Sequence, residues 1–122
     1  MDPVPVEIRL RKKSRQLSLA YADDSQFDLS FEFLRVHSPS ADVKGHGPGQ
    51  EVLQTGKELV QISSIEPVGH YAIRLIFDDG HNTGLYTWKY LYELGTQKDE
   101  RWAAYLDRLQ AAGYARKHCE ND

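Results

Sequence analysis

Residues 68–94, VGHYAIRLIFDDGHNTGLYTWKYLYEL, are the stretch that decides the fold. The odd-numbered side chains of residues 71–77 are apolar, which predicts a strand with one buried face. Residues 78–81, DDGH, predict a tight turn, because Gly80 tolerates the positive φ that such turns need. As turn residues, the two aspartates are expected to bond backbone amides. A short returning strand follows at residues 83–86.

A helix is predicted directly after this hairpin. Thr87 is suited to be its N-cap, because a threonine oxygen accepts a hydrogen bond from a backbone N–H of the first helical turn. Gly95 is suited to end the helix in a left-handed conformation. Three apolar residues fall on one face of this helix: Trp88, Leu91 and Tyr92. His81 lies where the turn meets the returning strand, so its side chain can be oriented for a functional contact.

The N-terminal part of the chain predicts a second hairpin. Apolar and polar residues alternate at residues 6–11 and again at residues 16–21, as in two amphipathic strands that pair antiparallel. Ser30 is suited to cap a short helix that reaches Arg35. The chain therefore alternates hairpins with short helices.

The remaining elements are one strand and one long helix. The strand begins at Val60 and loses its alternation at residues 63–64, where a bulge and the end of the strand are both open, and Pro67 is expected to end it. The helix is expected to follow an N-cap at Thr96 and to stop at Gly113. Its apolar residues have helical spacing: Trp102, Tyr105, Leu106 and Leu109.

The fold class that this order predicts is α+β. We expect a small, mostly antiparallel β-sheet with hairpins, covered by two or three short helices and a C-terminal helix. Residues 1–122 are expected to form a single domain with its core at about residues 6–113. Residues 37–57 form a long Gly/Pro-rich loop, and residues 114–122 are expected to be a flexible tail.

Composition limits the classes of function. The formal net charge is −3, which does not favour nucleic-acid binding, and no apolar run approaches the length of a membrane span. The single cysteine, Cys119, cannot form an internal disulfide, so we expect a cytoplasmic protein. One basic cluster is interpreted as a solvated hairpin tip or a protected sheet edge: Arg9, Arg11, Lys12, Lys13 and Arg15.

Metal binding has weak support in the spacing of the histidines. No C-x-x-C or H-E-x-x-H pattern is present, and residues 118–120, HCE, would supply only half of an iron-binding triad. His37, His46 and His81 converge if the long loop folds over the Gly80 turn. The alternative is that these are solvent-exposed loop histidines.

Phosphate binding and nucleophilic catalysis also lack a complete pattern. The G-x-G-x-G of residues 45–49 has the wrong spacing for a dinucleotide fingerprint, and Pro48 removes a backbone donor. This segment is better interpreted as a loop that needs positive φ at several positions. Ser38, Ser40 and Cys119 have no base near them in sequence, and no G-x-S-x-G elbow is present.

Two segments carry a resemblance to a known family. They are residues 34–50, LRVHSPSADVKGHGPGQ, and residues 65–91, IEPVGHYAIRLIFDDGHNTGLYTWKYL. Together they resemble the gamma-butyrobetaine hydroxylase-like N-terminal domain, a domain of unknown function, and the likeness extends over residues 8–95. The chain is similar to the free-standing members of that family.

The resemblance implies a statement about zinc. In the hydroxylases this domain looks like a zinc module with three loop cysteines and the histidine of the D-G-H turn. The cysteine positions fall here on Ser38, Ser40 and Val43, and only His81 matches. A serine hydroxyl is a poor zinc ligand and valine is none, so we predict no zinc and no other cofactor. Hydrogen bonds are expected to hold the loop instead, from Asp42 and Ser38 to loop amides and from His81 across the turn.

The resemblance also implies a role. The oxygenase domain that uses iron and 2-oxoglutarate does not fit in this chain, so its activity is not carried over. We predict a non-catalytic accessory domain that docks onto a protein, either an iron/2-oxoglutarate oxygenase or an iron–sulfur or metal-handling protein. The expected interaction surface comprises Arg35, His37, Ser38, Asp42, His46, Asp79, Gly80, His81 and Trp88. The alternative is a metal or small-ligand binding module that uses His37, His46 and His81, and an enzyme is the third hypothesis.

Overall fold

The structure is a computed structural model that describes residues 4–39, 55–82 and 84–114. These ranges contain, in chain order, β1 (Glu7–Arg11), β2 (Gln16–Ala20), β3 (Gln26–Ser30), α1 (Phe31–Val36), β4 (Ile62–Val68), β5 (Ala72–Phe77), β6 (Leu85–Thr87), α2 (Trp88–Thr96) and α3 (Lys98–Ala111). The strands form two antiparallel sheets, ordered β1-β2-β3 and β4-β5-β6. The α+β class is confirmed, with the strands divided between two small sheets.

The first sheet is the predicted N-terminal hairpin extended by a third strand. Ile8 of β1 lies opposite Leu19 of β2, and Leu17 of β2 lies opposite Leu29 of β3. Because side chains alternate along a strand, these apolar residues share the face that packs on the core, and the polar residues share the other face. Val6 precedes β1 and is 68% exposed, so the apolar row continues beyond the core.

The second sheet resolves one open alternative of the prediction and corrects two details. The pairing of β4 with β5 shifts register between Ile62 and Ser64, so the loss of alternation is a bulge. The strand then continues through Pro67 to Val68, and the prediction that the proline ends it is wrong. An edge strand tolerates proline because one side of its backbone has no partner strand. Tyr71 precedes β5 and is 56% exposed, so it lies outside the buried face.

Two helix starts were predicted correctly from their capping residues. The side chain of Ser30 accepts a hydrogen bond from the backbone N–H of Phe33 at 3.0 Å and begins α1. The side chain of Thr87 accepts from the backbone N–H of Tyr90 at 3.1 Å and begins α2. Each cap satisfies one of the N–H groups that the first helical turn leaves without a partner.

Gly95 lies inside α2 and does not end it. The helix continues to Thr96, and Gln97 is the C-cap residue. A Cβ atom at position 95 would overlap the ring of Phe27, so the glycine allows α2 to approach β3 closely. The predicted C-cap is therefore wrong, because the contact that requires the glycine comes from a distant part of the chain.

The last helix begins at Lys98 without a side-chain cap. Gln97 occupies the N-cap position and makes no capping hydrogen bond, so the predicted cap at Thr96 is wrong. Gly113 has φ of +75° just after the helix, which confirms it as the stop. Of the four apolar residues expected on one face, Leu106 is exposed, so the buried stripe is narrower than expected.

Both sheets share one hydrophobic core with α1 and α2. Its members without exposed surface include Leu17, Leu19, Leu29, Phe31, Leu34, Ile62, Leu75, Tyr86, Leu91 and Leu94. A smaller cluster joins Val36 of α1 to Tyr105 and Leu109 of α3. Contacts on two sides therefore fix α1, and the candidate site begins at its C-terminal end. None of the helices in the described ranges is long and apolar enough to cross a membrane.

Candidate functional site

The turn after β5 is the centre of the candidate site. Gly80 has φ of +88°, the conformation that the sequence predicted. Asp78 Oδ1 accepts a hydrogen bond from the backbone N–H of Gln61 at 3.0 Å, and the backbone N–H of Asp78 donates to the Gln61 carbonyl at 2.9 Å. Asp79 Oδ1 accepts from the backbone N–H of His81 at 3.1 Å. Both aspartates bond backbone amides, as predicted.

Asp79 also holds two basic side chains. Its Oδ2 accepts from Arg35 Nε at 2.9 Å and from Lys57 Nζ at 2.8 Å. Burial opposes the ionisation of Asp79, but the hydrogen bonds from Lys57, the His81 backbone and Arg35 outweigh it and lower its pKa to about 2. Asp79 is therefore a carboxylate near neutral pH, and it fixes α1 and residue 57 to the turn.

Ser38 and His81 form a second link across the same turn. Ser38 Oγ and His81 Nε2 lie 2.8 Å apart in a hydrogen bond whose donor is set by the imidazole tautomer. Ser38 has 0% exposed surface and His81 has 8%. Gly84 leaves space for this contact, because a Cβ atom at position 84 would overlap the serine oxygen. The hydroxyl and the imidazole are therefore enclosed by the protein.

We call Arg35, Ser38, Lys57, Asp79 and His81 the turn cluster. Ser38 and Lys57 lie on either side of residues 39–56, which make up most of the Gly/Pro-rich loop predicted from the sequence. Ser38 is bonded to His81, and Lys57 is bonded to Asp79. The two residues that flank that segment are therefore both bonded to the turn after β5.

Two tyrosines that the sequence analysis left out of the site hold the end of α1. Tyr86 Oη donates to the carbonyl of Leu34 at 2.5 Å, and Tyr90 Oη donates to the carbonyl of His37 at 2.6 Å. Burial raises the pKa of both tyrosines, so they remain neutral donors. A buried tyrosine usually has a hydrogen-bond partner for its hydroxyl. This rule predicts that Tyr86 and Tyr90 have partners, but it does not identify which groups these are.

His37 packs against α1 beside the turn cluster. Its Nδ1 lies 3.0 Å from the carbonyl oxygen of Phe33, and the centroids of the His37 and Phe33 rings are 4.5 Å apart. Burial lowers the pKa of His37, which favours the neutral imidazole at pH 7. His37 therefore contributes mainly packing and a backbone hydrogen bond in this structure.

Comparison with known proteins identifies the family of this chain. Residues 8–92 match the family described as gamma-butyrobetaine hydroxylase-like, N-terminal. The chain belongs to this family. The matched range of this chain contains all five residues of the turn cluster. No curated protein matches the chain.

Three solved structures are similar to this member of the family. One NMR solution structure is 52% identical with a TM-score of 0.83, and the match covers 98% of this chain and 94% of that chain. A second NMR solution structure is 51% identical with a TM-score of 0.79, over 93% and 85%. A crystal structure of a protein of unknown function in the DUF971 family, from Acidithiobacillus ferrooxidans, is 43% identical with a TM-score of 0.63, over 75% and 91%.

The expected interaction surface of this family member divides into separate places. Arg35, Ser38, Asp79, Gly80 and His81 meet at the turn after β5, with His37 beside them. Trp88 Nε1 donates to the carbonyl of His70 at 2.8 Å, at the other end of β5. A strand of six residues separates its ends by about 17 Å. Asp42 and His46 lie outside the described residues.

The described residues do not provide a set of metal ligands. Within residues 4–39, 55–82 and 84–114, no group of three or more His, Cys, Asp or Glu side chains is placed to hold a metal ion. His81 Nε2 and His37 Nδ1 each bond a protein oxygen. His46 lies outside these ranges, as do Ser40, Val43, the glycines of residues 45–49 and the HCE sequence of residues 118–120. Metal binding therefore stays a prediction.

Proposed function

We propose that this chain is a non-catalytic interaction domain that docks onto a partner protein through the loop of residues 37–57 and the turn after β5. The observation that supports this most is the attachment of both ends of the loop to one turn. Ser38 is held by His81, and Lys57 is held by Asp79. In general, a loop with fixed ends has fewer conformations to lose when it binds a partner.

The burial of the turn cluster supports a structural role for its polar groups. A serine bonded to a histidine is the contact from which nucleophilic catalysis starts. Ser38 has no exposed surface, so a substrate does not reach its hydroxyl in this conformation. Arg35 has an exposed side-chain fraction of only 8% and bonds Asp79. These groups are used to hold the framework, which leaves the loop to contact a partner.

The proposed class of partner is based on the family resemblance. We propose an iron/2-oxoglutarate oxygenase, which the description of the family as gamma-butyrobetaine hydroxylase-like supports, or else an iron–sulfur or metal-handling protein. A cytoplasmic location is part of the proposal, since the chain has one cysteine and no internal disulfide. No membrane and no nucleic acid are required for the docking.

The test uses the whole purified chain as bait in three forms: wild type, Asp42→Ala and Lys89→Ala. Lys89 is exposed on α2 and serves as the matched surface control. We expect Asp42→Ala to lose the captured protein while its melting temperature is unchanged. Calorimetry with the purified partner should then show an affinity at least about tenfold lower for this variant, as for a central interface residue. Equal capture by wild type and Asp42→Ala would contradict the proposal.

The metal alternative is separated by thermal melts of the same proteins with zinc, cobalt or a chelator. A metal that binds only the folded state raises the melting temperature by mass action. Our proposal predicts no shift. A rise with stoichiometric metal that is lost in His37→Ala would favour the binding module with His37, His46 and His81.

A further inference from the structure

The first sheet offers an edge that the proposed loop-and-turn surface does not use. In the sheet order, β1 is terminal, and among the described residues a strand borders it on one side only. An edge strand presents backbone N–H and C=O groups that can pair with an added strand. We propose that the free edge of β1 docks an extended, acidic segment of a partner protein by strand addition, with Arg9 and Arg11 pairing with its carboxylates.

The charge around this edge selects an acidic partner. Residues 7–15 contain five basic side chains and one acidic side chain, although the whole chain has a formal net charge of −3. Arg9 and Arg11 lie on the solvent side of the sheet and are exposed. The basic edge would repel a basic strand and attract carboxylates. The same charges therefore prevent non-specific strand pairing and favour an acidic partner.

The solvent side of the sheet holds Arg11 in place for this contact. Arg11 Nε donates to Ser18 Oγ at 2.9 Å, and Ser18 Oγ donates to Asp28 Oδ1 at 2.6 Å. A cleft on this face is lined in part by Glu7, Arg9, Arg11, Ser18 and Gln26. An arginine oriented by neighbouring hydrogen bonds loses less side-chain entropy when it binds a carboxylate. Side chains of an added strand would therefore enter a cleft with two arginines beside it.

The other side of the edge is apolar. Val4 and Val6 are 52% and 68% exposed, and they continue the row that Ile8 and Leu10 begin against the core. An added strand with alternating side chains would place acidic groups beside the arginines and apolar groups beside the valines. Alternation of acidic and apolar residues is therefore the pattern expected in the partner.

A protein strand suits these features better than the other ligands of a basic surface. Nucleic acid would use the arginines, but its phosphate oxygens only accept hydrogen bonds, so they would not pair with the C=O groups of the strand edge or cover the exposed valines. A second copy of this chain would bring two basic edges together, which like-charge repulsion disfavours. Both remain outcomes that the test can detect.

The test measures binding of short fluorescent peptides to the full chain by anisotropy. The probe alternates valine and glutamate over about six residues, the usual length of a strand. One control peptide has lysine in place of glutamate. Another keeps the glutamates but carries N-methyl groups on alternate backbone amides, which blocks strand addition. We expect only the first peptide to bind, and we expect its affinity to fall as salt is raised from about 50 mM to about 500 mM.

The variants separate this edge from the rest of the surface. Arg9→Glu should weaken binding of the valine–glutamate peptide at least about tenfold, because a carboxylate would then face a carboxylate. Lys89→Glu makes the same charge change on exposed α2 and should have no effect. Asp42→Ala should also have no effect, so failure of the loop-and-turn proposal is distinguishable from failure of this one.

Hydrogen exchange then tests the geometry of the complex. Strand addition should protect alternate backbone amides of Glu7–Arg11, those that point away from β2, because the others already face a partner strand. The proposal is overturned by absence of binding, by equal binding of the N-methylated peptide, or by equal weakening in Lys89→Glu. Tighter binding of a single-stranded oligonucleotide, or a dimer that Arg9→Glu dissociates, would also overturn it.

Discussion

The turn cluster and the solvent side of the first sheet each contain an ion pair between an arginine and a carboxylate, but the two pairs differ in their exposure to solvent. Arg35 Nε lies 2.9 Å from Asp79 Oδ2, and Arg9 Nε lies 2.9 Å from Glu7 Oε2. The side chains of the first pair are 8% and 23% exposed, whereas those of the second are 60% and 51% exposed. The distance between the charged atoms is therefore the same, and the solvent around them differs.

This difference in exposure indicates that the less exposed pair stabilises the fold and that the exposed pair is available to bind a partner. Water screens the exposed pair, so its contribution to stability is small and its charges can be exchanged for those of a partner. The less exposed pair is bonded to a further lysine and a backbone amide, and removing one member would leave a charge without full compensation. We therefore expect mutations in the turn cluster to change stability and mutations on the first sheet to change binding.

The largest effect is expected for Arg35→Ala. Asp79 would keep Lys57 but lose its more buried partner, and we expect the free energy of unfolding to fall by about 2–3 kcal/mol. Arg9→Ala, which removes the exposed arginine, should change it by less than about 0.5 kcal/mol. Urea denaturation of the two variants measures both values. Equal losses would remove the distinction between the two regions.

The Ser38–His81 contact should have an intermediate effect. Ser38→Ala and His81→Ala each remove one hydrogen bond of a buried polar atom, and each should lower the free energy of unfolding by about 1–2 kcal/mol. The double mutant should lose less than the sum of the single mutants, since the two side chains share one hydrogen bond. Ser14→Ala in the exposed β1–β2 turn is the control. An unchanged melting temperature in His81→Ala would show that this contact does not hold the loop.

Asp79 should give the turn cluster a dependence on acid. Its pKa is about 2 in the folded protein and 3.8 ordinarily, so its contribution to stability is full above pH 3.8 and is lost as the pH falls towards 2. After allowance for solvent screening, we expect a contribution of about 1 kcal/mol. Acid titrations of wild type and Asp79→Asn, followed by denaturation, measure the difference. Curves that remain parallel over this interval would contradict the lowered pKa.

The smallest effect on stability is expected for Glu7→Gln. This change breaks the exposed pair with Arg9 and should alter the free energy of unfolding by less than about 0.5 kcal/mol. The same variant makes the first sheet more basic, so it should bind the valine–glutamate peptide more tightly. Denaturation and anisotropy on one preparation give both numbers. A large loss of stability would show that the solvent side of this sheet is also structural.

Local patterns were sufficient for most of the secondary structure. Ser30 and Thr87 act as predicted N-caps, and Gly80 has the predicted positive φ, because each depends on contacts within a few residues. Gly95 was misread because the same residue type serves both a left-handed cap and a close approach between elements. Phe27, which requires the glycine, is distant in sequence and gives no local signal.

The candidate site shows the same limit. His81 and the two aspartates could be selected from the turn sequence, and the aspartate contacts with backbone amides were predicted. Lys57 could not be selected, because no periodicity relates it to Asp79, which lies 22 residues away. Trp88 was grouped with the turn, although hydrogen bonding places it at the other end of β5.

The sequence by itself determined the α+β class, the hairpins, the N-caps at Ser30 and Thr87, and the family to which the chain belongs. These depend on alternation, turn chemistry and motifs, which are properties of neighbouring residues. The tertiary structure decided which polar side chains are enclosed and which remain in water. That division gives Arg35 and Arg9 different roles, since the energy of an ion pair depends on its surroundings, and these are set by residues from distant parts of the chain.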